Sequence, residues 1–436
     1  MIATTCHTLA NGLRVVCVEM PHLHVAELAV YIKVGGRNDP PGREGLSHFL
    51  EHILFRGSVD YPSSLAIETA FEAIGGAPNA ATDTDSTCFY SRVHPKYVRE
   101  GMAIFASMLL RPLLSGVDVE KRIIAEEARE DLNEDGEEIN ADTIASRLLW
   151  PDHPLGMPTI GTLESIAAIE TCDIEQHLRR YYVPEAAVVV VSGAVSTGEV
   201  VSAAEACFGS WSGMPPAAPR LFTGLRRRAP QISCTRDSDS QMNLQIAFLG
   251  MQRTDTRIME VRFLRRLLAG GGSSRLHLRL REELGIIYSV DGSIGAYDET
   301  GCLAFDLSTA PATLLQAVEV TLAELATISR ELIPEEELER ARRSYAFDLE
   351  FSRDSAYEMG GRFGWGELMG VVRSLAEDQT EAASMTSARL LSVARNIFEP
   401  RNLCLVVVGP VKRGLKKQLR DLVFKYEGMF PSHHTT

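Results

Sequence analysis

The segment that determines how the rest of the chain is interpreted reads Gly45-Leu46-Ser47-His48-Phe49-Leu50-Glu51-His52-Ile53-Leu54-Phe55-Arg56-Gly57-Ser58. Its apolar residues recur at helical spacing, which predicts an amphipathic helix with one buried side. On that helix His48 and His52 are four residues apart and project from the same face. Two neutral imidazoles in this arrangement suit Zn²⁺, which in catalytic sites takes three protein ligands and a water. Glu51 lies beside them and is placed to accept a proton from that water.

A second predicted helix offers a third ligand. Its apolar face is marked by Ile123 and Ile124. Glu127 and Glu120 fall on that face, whereas Glu126 points about 100° away from it. A carboxylate directed at a core is costly unless a cation meets it, so we expect Glu127 to bind the metal and Glu120 to hydrogen-bond a ligating histidine. The alternative from the residues alone is that the two histidines lie on a surface and the two glutamates form surface ion pairs.

Length and composition exclude several classes of protein. The chain has 436 residues, which is enough for two or more cores, and its formal charge is −14, with 58 acidic and 44 basic residues. A net-acidic chain is a poor general phosphate binder, so nucleic acid and anionic membrane are not expected partners. No apolar run approaches the roughly 20 residues that span a bilayer. The N-terminal residues show no secretory signal and the eight cysteines are scattered singly, so we expect a cytoplasmic location.

The chain divides near its middle into two halves with a similar order of elements. A stretch rich in proline and glycine, with a basic run at Arg226-Arg227-Arg228, predicts a connection over residues 213–230 between domains 1–212 and 231–436. Each half alternates strand patterns with long amphipathic helices, which indicates an α+β fold with a mainly antiparallel or mixed sheet and helices on one face. The counterpart of the histidine helix in the second half, Phe263-Leu264-Arg265-Arg266-Leu267, holds no metal ligand. We therefore expect the metal chemistry in the first domain alone.

The histidine segment resembles the inverted zinc signature of the pitrilysin/insulinase family of metallopeptidases, M16, in its short two-domain form. The resemblance covers nearly the whole chain. It implies the fold of the LuxS/MPP-like metallohydrolases, one Zn²⁺ per chain, and Glu51 as the catalytic base. Glu127 stands 75 residues after His52 and seven after Glu120, as the third ligand does in the family. The segment Gly75-Gly76-Ala77-Pro78-Asn79-Ala80-Ala81-Thr82 resembles the family's edge strand, so Asn79, Ala80, Ala81 and Thr82 are expected to pair with the substrate backbone.

The second half carries another motif of the same family. Arg281 and Tyr288, seven residues apart, resemble the arginine–tyrosine pair that contacts substrate and helps stabilise the tetrahedral intermediate. Without the resemblance, the favoured interpretation of Tyr288 is a buried aromatic residue of a strand. The preceding Gly270-Gly271-Gly272 run lacks the Lys-Ser/Thr ending of a phosphate loop, so phosphate binding is not favoured.

The resemblance implies a zinc metalloendopeptidase that cuts short or unfolded peptides in a chamber formed by a dimer. Arg281 and Tyr288 of one chain would then serve the metal of the other. A homodimer and a heterodimer with a related chain are both open, the second as the zinc-bearing subunit dedicated to one peptide precursor. Two other readings remain: a scaffold subunit without catalysis, and a zinc hydrolase of small amides.

Overall fold

The computed structural model describes residues 2–218, 220–224 and 229–430. Two sheets organise these residues. The first contains β1 (Ala3–Thr8), β2 (Arg14–Glu19), β3 (Ala26–Ile32), β4 (Asn79–Thr82), β5 (Thr87–Val93) and β6 (Ala187–Gly193). The second contains β7 (Gln231–Arg236), β8 (Met242–Gly250), β9 (Ile287–Ala296), β10 (Gly301–Thr309) and β11 (Leu403–Gly409).

Helices occupy most of the chain between the strands. In the first half they are α1 (Leu46–Leu54), α2 (Ser64–Ala73), α3 (Val98–Leu110), α4 (Val117–Glu130), α5 (Ala141–Leu149), α6 (Leu163–Ala168), α7 (Thr171–Tyr181) and α8 (Thr197–Phe208). In the second half they are α9 (Ile258–Ala269), α10 (Leu314–Ile328), α11 (Glu335–Phe351), α12 (Ala356–Met369), α13 (Leu375–Ala383), α14 (Ser387–Ile397) and α15 (Leu415–Glu427). A π-helical segment, His277–Glu283, lies between α9 and β9.

The two sheets share one topology, which confirms the α+β fold class and supports the predicted repeat. Their strand orders are β1-β2-β6-β3-β5-β4 and β7-β11-β8-β10-β9. In each, one pair is parallel (β2 with β6, β7 with β11) and the remaining pairs are antiparallel. The first sheet therefore matches the second strand for strand and has one additional edge strand, β1.

The central strand of each sheet is buried on both faces. Every residue of β6 and of β11 is buried, and each strand contains a run of at least three valines next to alanine, leucine or cysteine. A strand that alternates apolar and polar residues would leave one face in water, whereas these continuous runs require cover on both sides. In the first sheet most helices pack on one face, and helix α12 covers part of the other.

The compact units do not follow the predicted ranges 1–212 and 231–436 throughout. The first unit comprises residues 1–129, 157–219 and 348–375, and the second comprises residues 130–156, 220–347 and 376–436. Helix α12, from the second half of the chain, packs on β3 and β6 in the first unit. Helix α5, from the first half, packs on β8 and β11 in the second unit. Each unit thus completes the second face of its sheet with a helix encoded in the other half, which sequence order does not reveal.

Glycines allow α12 to lie close against the first sheet. A methyl group built at Gly364 would stand 2.2 Å from a methyl carbon of Val190 and 2.9 Å from the ring of Tyr31. At Gly360 it would stand 2.8 Å from the hydroxyl oxygen of Ser192. That hydroxyl donates a 2.6 Å hydrogen bond to the backbone carbonyl of Ala356. The absence of side chains on this face of the helix sets its distance from the strands.

The predicted connection 213–230 is described only in part. Residues 212–218 and 220–224 contain no helix or strand, and β7 begins at Gln231. The basic run at 226–228 lies outside the described residues. Among the helices that the structure describes, none combines the length and the apolar character needed to cross a membrane.

Candidate metal centre

Helix α1 is held at its N-terminus by a buried carboxylate. Asp39 accepts hydrogen bonds from the backbone N–H groups of Gly45 (2.8 Å) and Ser47 (2.9 Å) and from the Ser47 hydroxyl (2.6 Å). Gly45 has φ +91°, in the left-handed region, so the chain turns sharply into the helix at a residue without a side chain. His177 of α7 lies 2.9 Å from the Ser47 hydroxyl. These contacts fix the start of the helix that carries the two histidines.

The structure brings His48, His52 and Glu127 together, as predicted for the metal ligands. One possible ligand atom from each lies within 4.8 Å of the others. The Nε2 atoms of both histidines are 3.8 Å from oxygens of Glu127, His48 from Oε1 and His52 from Oε2. This separation is too long for a hydrogen bond, but ligands about 2.0–2.1 Å from a tetrahedral ion stand roughly 3.3 Å apart. The arrangement therefore fits a single ion bound by the three side chains.

Glu120 orients one of the two histidines. The Nδ1 atom of His52 lies 3.1 Å from Oε2 of Glu120, so the ring donates there and its Nε2 lone pair faces Glu127. Arg56, in the turn that follows α1, donates from Nε to the other oxygen of Glu120. Burial alone would raise the pKa of Glu120, but the hydrogen bonds from His52 and Arg56 outweigh it and lower the pKa. Glu120 is therefore an ionised acceptor, as expected for a group that supports a metal ligand.

The surroundings of the two histidines also favour a bound cation. Burial, together with the smaller effect of the neighbouring His52, lowers the pKa of His48 to about 4, so His48 is neutral at pH 7. Burial opposes protonation of His52 as well, but the hydrogen bond that His52 donates to Glu120 and the nearby carboxylates raise its pKa. A buried pair of rings surrounded by carboxylates favours a cation between them. The Nδ1 atom of His48 is buried without a hydrogen-bond partner among the described residues.

Glu51 lies on the same helix and is buried beside the ligands. Its Oε2 accepts a 2.5 Å hydrogen bond from the hydroxyl of Thr82 on β4. Burial raises the pKa of Glu51, and the Thr82 hydrogen bond opposes this only in part. A carboxylate with a raised pKa is a better proton acceptor near neutral pH than an exposed one, which is the property that a general base requires.

The four residues expected to pair with substrate form β4, an edge strand. Within the described residues β4 pairs with β5 on one side and with no strand on the other. Ala80 and Thr82 face the core and α1, whereas Asn79 and Ala81 are exposed on the opposite face. The unpaired edge leaves backbone groups available to an extended peptide, apart from the N–H of Ala80, which donates a 2.8 Å hydrogen bond to Oδ1 of Asn79.

Arg281 and Tyr288 lie in the second unit. Arg281 is exposed on the π-helical segment His277–Glu283, and Tyr288 is the second residue of the edge strand β9. The side chain of Tyr288 is 57% exposed, so it is not the buried strand aromatic of the alternative reading. Both side chains are accessible to a ligand, and their roles stay predictions.

The sequence reasoning was wrong about one residue and missed others. Ile124 is fully buried, but Ile123 is 44% exposed, so the buried face of α4 is narrower than predicted. Glu127 consequently lies at the edge of that face, with its side chain 45% exposed, and reaches the histidines from there. Asp39 was missed although it is close to His48 in sequence, because nothing in the sequence shows that its carboxylate is buried against the start of α1. Arg56 could have been found, because it stands four residues after His52, where a continued helix would place it on the same face, although α1 ends at Leu54.

Two family models match the parts of the chain that contain these residues. The family model described as insulinase (peptidase family M16) matches residues 14–163, which include all three ligands, Glu51 and Glu120. The model described as the peptidase M16 inactive domain matches residues 169–345, which include Arg281 and Tyr288.

Similar proteins cover nearly the full chain. An uncharacterized zinc protease of Mycobacterium tuberculosis is 32% identical over 430 residues, covering 95% of this chain and 96% of the relative. An uncharacterized zinc protease of Bacillus subtilis is 29% identical over 411 residues, covering 93% and 98%. Among solved structures, a protease from Helicobacter pylori has a TM-score of 0.87 at 21% identity, covering 94% of this chain and all of that one. A putative M16-like peptidase from Alicyclobacillus acidocaldarius has a TM-score of 0.80 at 21% identity, covering 93% and 98%. With both family models matched in chain order and a relative of this identity over almost its entire length, the chain belongs to peptidase family M16.

Proposed function

We propose that the protein is a zinc metalloendopeptidase that hydrolyses short or unfolded peptides. The observation that carries the proposal is the convergence of His48, His52 and Glu127 on one point, beside the buried carboxylate of Glu51. A structural carboxylate would gain nothing from a raised pKa, whereas a general base does.

The residues of the site have separate tasks in this reaction. When bound, Zn²⁺ would polarise a water and the scissile carbonyl. Glu51 accepts a proton from the attacking water and passes it to the amide nitrogen as the C–N bond breaks, so no proton is gained or lost overall. Thr82 holds the carboxylate of Glu51 in place through its 2.5 Å hydrogen bond. Glu120 keeps the Nε2 atom of His52 directed at the ion.

The open edge of β4 supports a peptide as the substrate. An extended peptide that adds to this edge makes main-chain hydrogen bonds, which do not depend on its sequence. Thr82 belongs to the edge strand and also bonds Glu51, so a peptide that pairs with β4 lies next to the base. Folded proteins seldom offer a free strand of this kind, which restricts the substrates to short or unfolded chains. A zinc hydrolase of small amides would have no use for such an edge.

We further propose that the active unit is a dimer enclosing a chamber, in which Arg281 and Tyr288 of one chain stabilise the developing oxyanion at the metal of the other. Their exposure supports a role in contacting a ligand. Because this chain carries both the metal site and the arginine–tyrosine pair, a homodimer would be complete. The alternative is that this chain is the zinc-bearing subunit of a heterodimer dedicated to one precursor. All eight cysteines are free thiols, which supports the expected cytoplasmic location.

The test is cleavage of a pool of peptides of about 10 to 30 residues by the purified chain, with the products identified by mass spectrometry. The matched control is Glu51→Gln, which removes the base and leaves the metal ligands in place. Cleavage that requires zinc and disappears in the control would support the proposal. A zinc-loaded protein that cuts no peptide in the pool, alone or mixed with a related chain from the same cell, would contradict it and favour a scaffold.

A further inference from the structure

The two faces of β4 differ in what they offer to a bound peptide. Ala80 and Thr82 point toward α1 and the metal ligands. Asn79 and Ala81 point the other way, and in the register of the sheet they stand opposite Tyr90 and Cys88 of β5. Side chains of a strand added to β4 would alternate in the same manner, so every second residue of the peptide would face away from the metal.

An aromatic surface lies on that second face. The rings of Tyr90 and Tyr357 are 5.8 Å apart between centroids, at an interplanar angle of 57°. Tyr357 is the second residue of α12 and remains 59% exposed, and Tyr90 is partly exposed. Large apolar surface left open to water is a favourable place for another ring or aliphatic chain.

The neighbouring side chains leave this surface accessible from the edge of the sheet. In the register of the sheet, Asn79 lies between the open edge and Tyr90, and Ala81 follows it on the same face, opposite Cys88. Because Ala81 has only a methyl group, an aromatic side chain of a peptide can approach Tyr90 diagonally over it. A peptide on the open edge is two strand spacings from β5, about 9.6 Å, so only a long side chain such as an aromatic ring reaches Tyr90 across β4. Arg92, exposed on the same face of β5 two residues after Tyr90, disfavours a lysine or arginine at this position.

We propose that Tyr90 and Tyr357 form a side-chain subsite that selects an aromatic or large aliphatic residue of the peptide substrate, at a position whose side chain points away from the metal. This inference rests on the proposed function, because it requires a peptide on β4. It gives α12, which is encoded in the second half of the chain, a part in specificity at the edge of the first sheet.

The experiment uses a set of 12-residue peptides of alanine, serine and glycine in which a single phenylalanine is moved from position to position. We expect the wild-type protein to cut each peptide at the same number of residues from the phenylalanine, which we call the fixed offset. When lysine replaces phenylalanine, the cleaved bond should no longer follow the position of the substituted residue. Tyr357→Ala should abolish the fixed offset and leave cleavage of the peptide without phenylalanine unchanged. Tyr357→Phe should behave as wild type, because it keeps the ring. Phe424→Ala removes an exposed aromatic residue of α15 in the second unit and is the control for a general surface effect.

Binding separates this inference from the proposed function. In the Glu51→Gln background, fluorescence anisotropy of labelled peptides should show the phenylalanine peptide bound about five- to tenfold more weakly after Tyr357→Ala, with the phenylalanine-free peptide unchanged. An equal ratio of the two affinities before and after Tyr357→Ala would overturn the subsite, whether or not the wild-type protein cleaves. Absence of cleavage together with the expected loss of binding would overturn the proposed reaction and leave the subsite standing.

Discussion

Glu120 illustrates how a residue outside the ligand set can control a metal site. It accepts a hydrogen bond from His52 through one oxygen and from Arg56 through the other. Arg56 keeps Glu120 ionised, and the ionised carboxylate fixes the tautomer of His52. In the proposed zinc site, the metal affinity would therefore depend on two successive contacts, Arg56 to Glu120 and Glu120 to His52.

We expect Glu120→Gln to lower the affinity for zinc by about ten- to a hundredfold, because a neutral amide is a weaker acceptor for the His52 N–H. Competition with a chelator of known zinc affinity measures the change. Glu126→Gln is the matched control. Glu126 is on the same helix, its side chain is 74% exposed, and it forms an ion pair with Arg129. Equal affinities for the two variants would show that Glu120 does not support the metal.

Glu27 gives the stability of the first unit a pH dependence. It lies on β3 opposite Arg92 of β5 and Ser192 of β6. Burial raises the pKa of its carboxyl from the ordinary value of 4.5 to about 7, with the charge of Arg92 opposing the shift. The folded state thus binds this proton more tightly than the unfolded state does. The resulting stability is complete below pH 4.5 and is lost as the pH rises through 7.

Glu27→Gln should remove this component of the pH dependence. Relative to wild type, the variant should gain on the order of 2–3 kcal/mol in unfolding free energy between pH 4.5 and pH 7.5. Urea unfolding at several pH values measures the difference in unfolding free energy between the variant and wild type. Groups that titrate alike in both proteins do not contribute to this difference. A difference between the two proteins that stays constant over this range would mean that Glu27 titrates normally.

At the scale of elements, the contact of α12 with the first sheet depends on its glycines. We expect Gly364→Ala to destabilise the first unit by about 1–3 kcal/mol, because the added methyl overlaps Val190 and Tyr31. Gly361→Ala is the matched control three residues earlier, where the nearest atom is the Tyr31 hydroxyl oxygen at 3.7 Å. Alanine there should be neutral or stabilising by up to about 1 kcal/mol, since it is the better helix former. Thermal unfolding compares the two, and the same effect in both would disprove close packing at Gly364.

The elements themselves could largely be predicted from the sequence, but their partners could not. Periodicity located strands and helices such as α1 and β5 because each buries a face locally. The sequence of α12 does not indicate that it packs on β3 and β6, because its glycines would allow close packing against any surface. Similarly, Glu127 could be placed near the histidines by helical phase, but the exposure of Ile123 depends on what packs against α4. The Tyr90–Tyr357 contact was out of reach because it joins residues 267 positions apart.

At the scale of the whole molecule, complementation can test whether two chains share each site. We expect Glu51→Gln and Tyr288→Phe to be inactive or strongly impaired when purified separately, with zinc content unchanged in Tyr288→Phe. If Tyr288 serves the metal of a partner chain, dimers formed from a mixture contain one intact site. Random exchange of equal amounts would then restore about a quarter of wild-type activity, because half of the dimers are mixed and each has one of two sites complete.

Peptide cleavage after mixing, with dimer exchange verified by mass spectrometry, measures this recovery. No recovery in exchanged mixtures would place Tyr288 beside the metal of its own chain. Loss of zinc from Tyr288→Phe alone would indicate a structural residue instead.

Helices α5 and α12 each pack on the sheet formed by the other half of the chain, which has a consequence if the two halves are produced as separate polypeptides. A break between residues 213 and 230 yields two fragments, neither of which encodes all of the helices that cover its own sheet. The N-terminal fragment keeps β6 but lacks α12, and the C-terminal fragment keeps β11 but lacks α5. Expressed singly, each would present bare valine-rich strands to water and aggregate. Produced together, they would be obliged to associate, so this protein is suited to use as a split reporter whose signal depends on the meeting of its two pieces.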